Sequence, residues 1–139
     1  MSLVFFTDRD LGRRFPEVLA SAGLTVERLD DLFPPDCPDD RWLEYVGRSG
    51  RIAVTHDRRI RYKPNELAAV RRHGARLLVV VGKAPLVELA RNFIATLPRI
   101  AAFLDRNEPP FIAKVYRPSP SELESDPSAP GTISRSYPS

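Results

Sequence analysis

Short apolar runs alternate with stretches of helical periodicity along most of the chain. Leu3 to Phe6 is the first run and reads as a buried strand. Phe15, Val18, Leu19 and Ala22 then recur at helical spacing, and Gly23 falls where a helix ends. "LTVERL" predicts a second strand. In "PPDCPDDRWLEYVGRSG", prolines and acids start a helix that carries Trp42, Leu43 and Val46 on one face, and a glycine stops it. "RIAVTHD" predicts a third strand, and Leu67 with Val70 marks a short helix. "ARLLVVVG" is the most hydrophobic run; such a run implies burial on both faces, as in a parallel sheet.

Residues 85–104 carry the strongest periodicity, with Leu86, Leu89, Ala90, Phe93, Leu97, Ile100, Ala101 and Leu104 forming one apolar stripe. Pro98 is expected to kink or divide that helix. "FIAKVY" predicts a last strand at an edge of the sheet. From Arg117 onward the chain is Pro, Ser and acidic residues, which predicts a domain over 1–117 and a disordered tail over 118–139. Strands alternating with helices argue for an open α/β sheet covered on both faces.

Composition changes this picture little. At 139 residues, 42% hydrophobic and 28% charged, the chain is long enough to bury a real core and reads as globular. No apolar run approaches the roughly 20 residues needed to cross a bilayer, and residues 1–30 lack the order of a signal peptide. The single cysteine, Cys37, cannot form an internal disulfide, which fits a reducing cytoplasm. A formal charge of +3 identifies no partner unless the basic residues cluster.

The carboxylates do change it. In an open parallel sheet, ligands bind beyond the carboxyl ends of the strands. Asp8 follows strand one, Asp30 and Asp31 follow strand two, Asp39 and Asp40 begin the next helix, and Asp57 follows strand three. Acids crowded on one rim repel each other unless a cation offsets them, and a hard divalent ion such as Mg²⁺ or Mn²⁺ takes oxygen ligands. Asp8 and Asp57 are the strongest candidates, since two acids ending neighbouring strands is what a metal site requires. Asp30 and Asp31 fit turn positions, Asp40 a helix start, and Asp10 either a helix cap or the rim. "HDRRIRYK" surrounds Asp57 with Arg58, Arg59, Arg61 and Lys63, either a solvated face or a surface for a phosphate backbone. His56 and His73 fit an exposed loop and a helix end. No Gly-x-Gly-x-x-Gly, phosphate loop or nucleophile elbow occurs.

The order of these elements over residues 3–116, the strand-one Asp, "PDDRWL", "VTHDRRIR" and the closing "PFIAKVYR" resemble the PIN-like ribonucleases, especially the VapC-like toxin branch. The resemblance implies a three-layer α/β/α sandwich with a mainly parallel central sheet. It further implies a Mg²⁺- or Mn²⁺-dependent endoribonuclease, and as partners an RNA substrate, a cognate antitoxin and a second copy of the chain, with no membrane. By position it gives Asp8, Asp39 and Asp57 the catalytic, metal-holding roles, with Asp10 and Asp40 auxiliary; beside such a rim the charges of Arg58, Arg59, Arg61 and Lys63 would make the RNA contact. Two other classes stay open on the residues alone. Asp8-Arg9-Asp10 resembles haloacid-dehalogenase-like phosphatases, although the chain is short for that fold. A response-regulator receiver would be phosphorylated on Asp57, which the surrounding arginines disfavour.

Overall fold

A computed structural model of the chain describes residues 3–56 and 64–139. Six strands form one sheet: β1 (Val4–Thr7), β2 (Thr25–Arg28), β3 (Ile52–Thr55), β4 (Arg76–Val81), β5 (Phe111–Tyr116) and β6 (Thr132–Tyr137). Their order is β2-β1-β3-β4-β5-β6; all neighbouring pairs are parallel except β5 with β6. The helices are α1 (Arg14–Ser21), α2 (Leu29–Leu32), α3 (Asp39–Ser49), α4 (Pro64–His73), α5 (Leu86–Arg106) and α6 (Pro120–Ser125).

The strand period of two sends alternate side chains to opposite cores. Phe5, Ile52, Val54, Leu78, Val80 and Ala113 meet Phe15 and Leu19 of α1 and the stripe of α5. Phe6, Ala53, Leu77, Val79 and Ile112 meet Trp42, Leu43 and Val46 of α3 and Ala69 and Val70 of α4. Phe6 stacks on Trp42 with ring centres 5.8 Å apart, while Phe5 meets Phe93 edge-on at 5.5 Å. Helices on both faces make the expected three-layer α/β/α sandwich. Among the described residues no helix is long and apolar enough to cross a membrane.

Two expectations fail locally. Pro98 does not divide α5, which runs unbroken for 21 residues. The ring lies on the exposed side, where water can reach the carbonyl that lost its donor, and the buried stripe holds the helix together. Nor is β5 an edge or the last strand, since β6 pairs along it from Tyr116↔Thr132 to Ile112↔Tyr137.

The segment 118–139 is therefore not a disordered tail. Ser119 caps α6 through a reciprocal capping box with Glu122. Gly131 then packs so closely that a Cβ there would lie 1.7 Å from the Tyr116 carbonyl oxygen. Its N–H donates to the Thr96 hydroxyl at 2.9 Å, and its carbonyl accepts from Arg99 at 2.6 Å. Ala129 is buried, and Ile133 and Tyr137 pack on opposite cores. A few well-placed atoms hold the segment, which a count of Pro and Ser does not reveal.

That tie is directly measurable. Thr96 is fully buried, and its hydroxyl both donates to the Asn92 carbonyl and accepts from Gly131. Replacing it with isosteric valine orphans the Gly131 N–H. Thr96→Val should cost ~1–3 kcal/mol in urea unfolding, and protease should cut near residues 126–131 faster than in the parent. An unchanged midpoint and an unchanged cleavage pattern would show that the segment is not held this way.

Candidate active site

The strand order reverses direction of travel between β1 and β3, and in open α/β sheets ligands bind at such a switch point, outside the carboxyl ends. The β1–β3 ladder continues one step past Thr7: the Asp8 N–H donates to the Val54 carbonyl at 2.9 Å. Asp8 is thereby fixed beside the end of β3. Its side chain accepts from its neighbour's N–H, Arg9, at 2.7 Å, capping a short 3₁₀ turn over Arg9–Leu11. Asp8, not Asp10, is the cap in this loop.

The triplet Asp8-Arg9-Asp10 then divides. Arg9 turns away, donating to Asp30 at 2.7 Å and to the Pro34 carbonyl at 2.6 Å. Both acids turn toward β3. The fully buried Thr55 has its hydroxyl 2.9 Å from Asp8 Oδ2 and 3.2 Å from Asp10 Oδ2. A hydroxyl has one proton, so it serves one carboxylate at a time. Asp10 also accepts from the His56 N–H at 3.2 Å. Sequence reasoning passed over Thr55. Its signal was a hydroxyl residue ending β3, directly across from a strand that ends in an acid.

Burial, then the charge of Asp10, raises the Asp8 carboxyl to about 6, against the opposing hydrogen bonds from Thr55 and Arg9; the charge of Asp39 adds a smaller push upward. Asp39, in the first turn of α3, accepts from the Trp42 indole N–H at 2.9 Å, which fixes one oxygen and leaves the other. It lines a cleft of about 370 Å³ with Asp40, Glu66 and Arg72 between the starts of α3 and α4.

The other acids have cationic partners. Asp40 bonds to Arg72 and, at 3.1 Å, to His73, both on α4, and its carboxyl is lowered first by His73 and then by Arg72. Asp30 pairs with Arg9, and Asp31 with Arg28 at 3.0 Å. Asp57, Arg58, Arg59, Arg61 and Lys63 lie outside the described residues. Asp8 and Asp10 are thus brought together at Thr55, and Asp39 is near enough for its charge to reach Asp8, while Asp40 is drawn to α4. Among the described residues no three His, Cys, Asp or Glu side chains converge tightly enough to hold a metal ion by themselves. Carboxylate oxygens that repel one another in a partly dry pocket are nonetheless the donor chemistry a hard divalent cation takes.

The raised Asp8 carboxyl has a sign that can be tested. Between its ordinary 3.8 and about 6, the folded chain keeps a proton there that the unfolded chain has released. Stability in EDTA should therefore fall as pH rises through that window and level off above it. Asp8→Asn removes the charge, so it should gain on the order of 2 kcal/mol near pH 7 and lose that advantage toward pH 4. Urea midpoints of both proteins across a pH series decide it; parallel curves would mean that Asp8 titrates normally.

Comparison with known families gives a specific result. The family model described as a PIN-like domain matches residues 3–82, which runs from β1 through β4 and takes in Asp8, Asp10, Asp39 and Thr55. Searches among curated proteins and among solved structures give no match. PIN-like domains are generally nucleases, which supports a hydrolase acting on nucleic acid in general terms. With more than half of its length matched and the expected α/β/α architecture around it, the chain belongs to the PIN-like domain family.

Proposed function

We propose that the protein is a Mg²⁺- or Mn²⁺-dependent endoribonuclease, the toxin of a toxin–antitoxin pair, acting in the cytoplasm. The observation that carries the reading is the Asp8–Thr55–Asp10 cluster at the switch point, where a carboxyl raised to about 6 lacks an ion-pair partner among the described residues. Asp8 and Asp10, with Asp39 at the start of α3, would hold the ion, and the sequence adds Asp57 as a further candidate. A bound ion of this kind supplies an acidified water and offsets charge on the leaving oxygen.

The chain's own residues do the rest. Thr55 orients whichever of the two carboxylates takes its one proton, and the His56 N–H fixes Asp10. The Asp39–Trp42 bond anchors the carboxylate on α3. The cleft beside Asp39 leaves room for a nucleotide next to the scissile phosphate. The partners of this reading are an RNA substrate, a cognate antitoxin and, for the assembled toxin, a second copy of the chain.

The test is cleavage of a mixed-sequence RNA with Mn²⁺ and with EDTA. Asp8→Asn and Asp10→Asn should each lose at least about 100-fold in rate, and Thr55→Val, which disturbs only the orientation of ligands, about 10- to 100-fold. Asp40→Asn should stay within a few-fold of the parent. Mn²⁺ should raise the melting temperature of the parent but not of Asp8→Asn. Full activity of Asp8→Asn with metal, or equal cleavage in EDTA, would overturn the assignment.

A further inference from the structure

Cations on the carboxyl rim differ in whether the protein itself uses them. Arg9 is paired with Asp30, and Arg28 with Asp31. Arg117 is spent three times, on the Asn92 side chain at 2.8 Å, the Glu88 carboxylate at 3.1 Å and the Lys83 carbonyl at 3.4 Å. Lys114, within β5, is part-buried on the α3–α4 side of the sheet, away from the rim. Arg13, Arg14 and Lys83 are exposed and have no ion pair among the described residues. Glu17, one turn after Arg13 on the same helix, is exposed and pairs with neither arginine.

These three cations flank two chain segments that touch. A Cβ on Gly12 would lie 3.3 Å from Leu86 Cδ1, so the turn before α1 rests on the first residue of α5. Arg13 and Arg14 follow on one side of that contact, and Lys83 precedes it on the other. The bond from Arg117 to its carbonyl pins the backbone of Lys83. Asp10 lies three residues before Arg13. Along the sheet, β4 is two strands from β1, a separation of about 10 Å at ~4.8 Å per strand. The carboxylates and the unpaired cations thus adjoin on one rim. A phosphate backbone approaching Asp8 and Asp10 meets repulsion, and a row of cations beside them offsets it.

We propose that Arg13, Arg14 and Lys83 bind successive phosphates of a single-stranded RNA, which crosses the rim on the α1–α5 side of the carboxylates. The proposal rests on the ribonuclease reading for its ligand, but the two fail separately. Arginine and lysine on phosphates give affinity without base preference.

The experiment uses the full-length Asp8→Asn chain in EDTA, so that neither cleavage nor a metal ion contributes. A fluorescent single-stranded oligoribonucleotide is titrated at several salt concentrations. Adding Arg13→Gln, Arg14→Gln and Lys83→Gln should weaken binding of every sequence tested. It should also flatten the slope of log affinity against log salt by roughly 2, at roughly 0.7 per lost contact. The control changes Arg48, Arg71 and Arg106 to Gln; these sit in the last turns of α3, α4 and α5, on the opposite rim, and alter net charge equally. Its slope should match the parent's. An unchanged slope in the rim variant, or an equal fall in the control, overturns the proposal. So does a polyglutamate peptide that displaces the RNA as well as unlabelled RNA of the same charge, since the surface would then be a site for an acidic protein. The expected slope change together with a parent protein that shows no Mn²⁺-dependent cleavage would retain this surface and overturn the ribonuclease reading instead.

Discussion

The parallel pairing of β1 with β3 is the constraint on which the site depends. These strands are far apart in sequence, and helices on opposite faces flank them, so the chain diverges above their carboxyl ends and leaves a notch there. The bond from the Asp8 N–H to Val54 carries the ladder into that notch, and the register then decides everything near it. Thr7 lies opposite Val54, so the next residues, Asp8 and Thr55, end up side by side. A slip of one residue would turn Phe5 and Phe6 to the wrong cores, so the packing that stabilises the sheet also enforces the position of the acid.

The electrostatics follow from that placement. Elsewhere two carboxylates with basic partners shift downward. Glu27 is lowered chiefly by its bond to Arg51, and Asp40 by His73 and Arg72. Asp8 shifts the other way, because its neighbours are a hydroxyl, a backbone N–H and a second carboxylate. Keeping an ionised group there above its raised pKa costs the fold stability, which supports the proposed site.

How much of this the sequence made legible varied with the length scale of the cause. The strands from β1 to β5 and helices α1, α3, α4 and α5 follow from periodicity, because apolar patterning is what drives their burial. The single turn of α2, where Asp30 and Asp31 fitted turn positions, is too short to show one. Asp8 as a rim acid was legible because a polar residue ending an apolar strand must surface. The division of labour within Asp8-Arg9-Asp10 was not, since it depends on Asp30 and Thr55, each more than twenty residues away. Asp39 and Asp40 adjoin in the sequence; one helical step of about 100° leaves Asp39 beside Trp42 and sends Asp40 toward α4. The last 22 residues were misread because their order comes from Gly131 and Thr96, a contact between atoms that composition averages away.

That misread segment also bears on the rim. β6 covers the edge of β5, so β5 is an interior strand whose end is fixed. Arg117, the residue after β5, is thereby held over Asn92 and Glu88, and its remaining donor holds the Lys83 backbone. A cation placed by such a chain loses less freedom on meeting a phosphate than one on a loose loop, and less ordering cost leaves more net affinity. The C-terminal segment thus reaches the site without touching it: by completing the sheet it stiffens the loop after β4, and with it one border of the carboxylate notch.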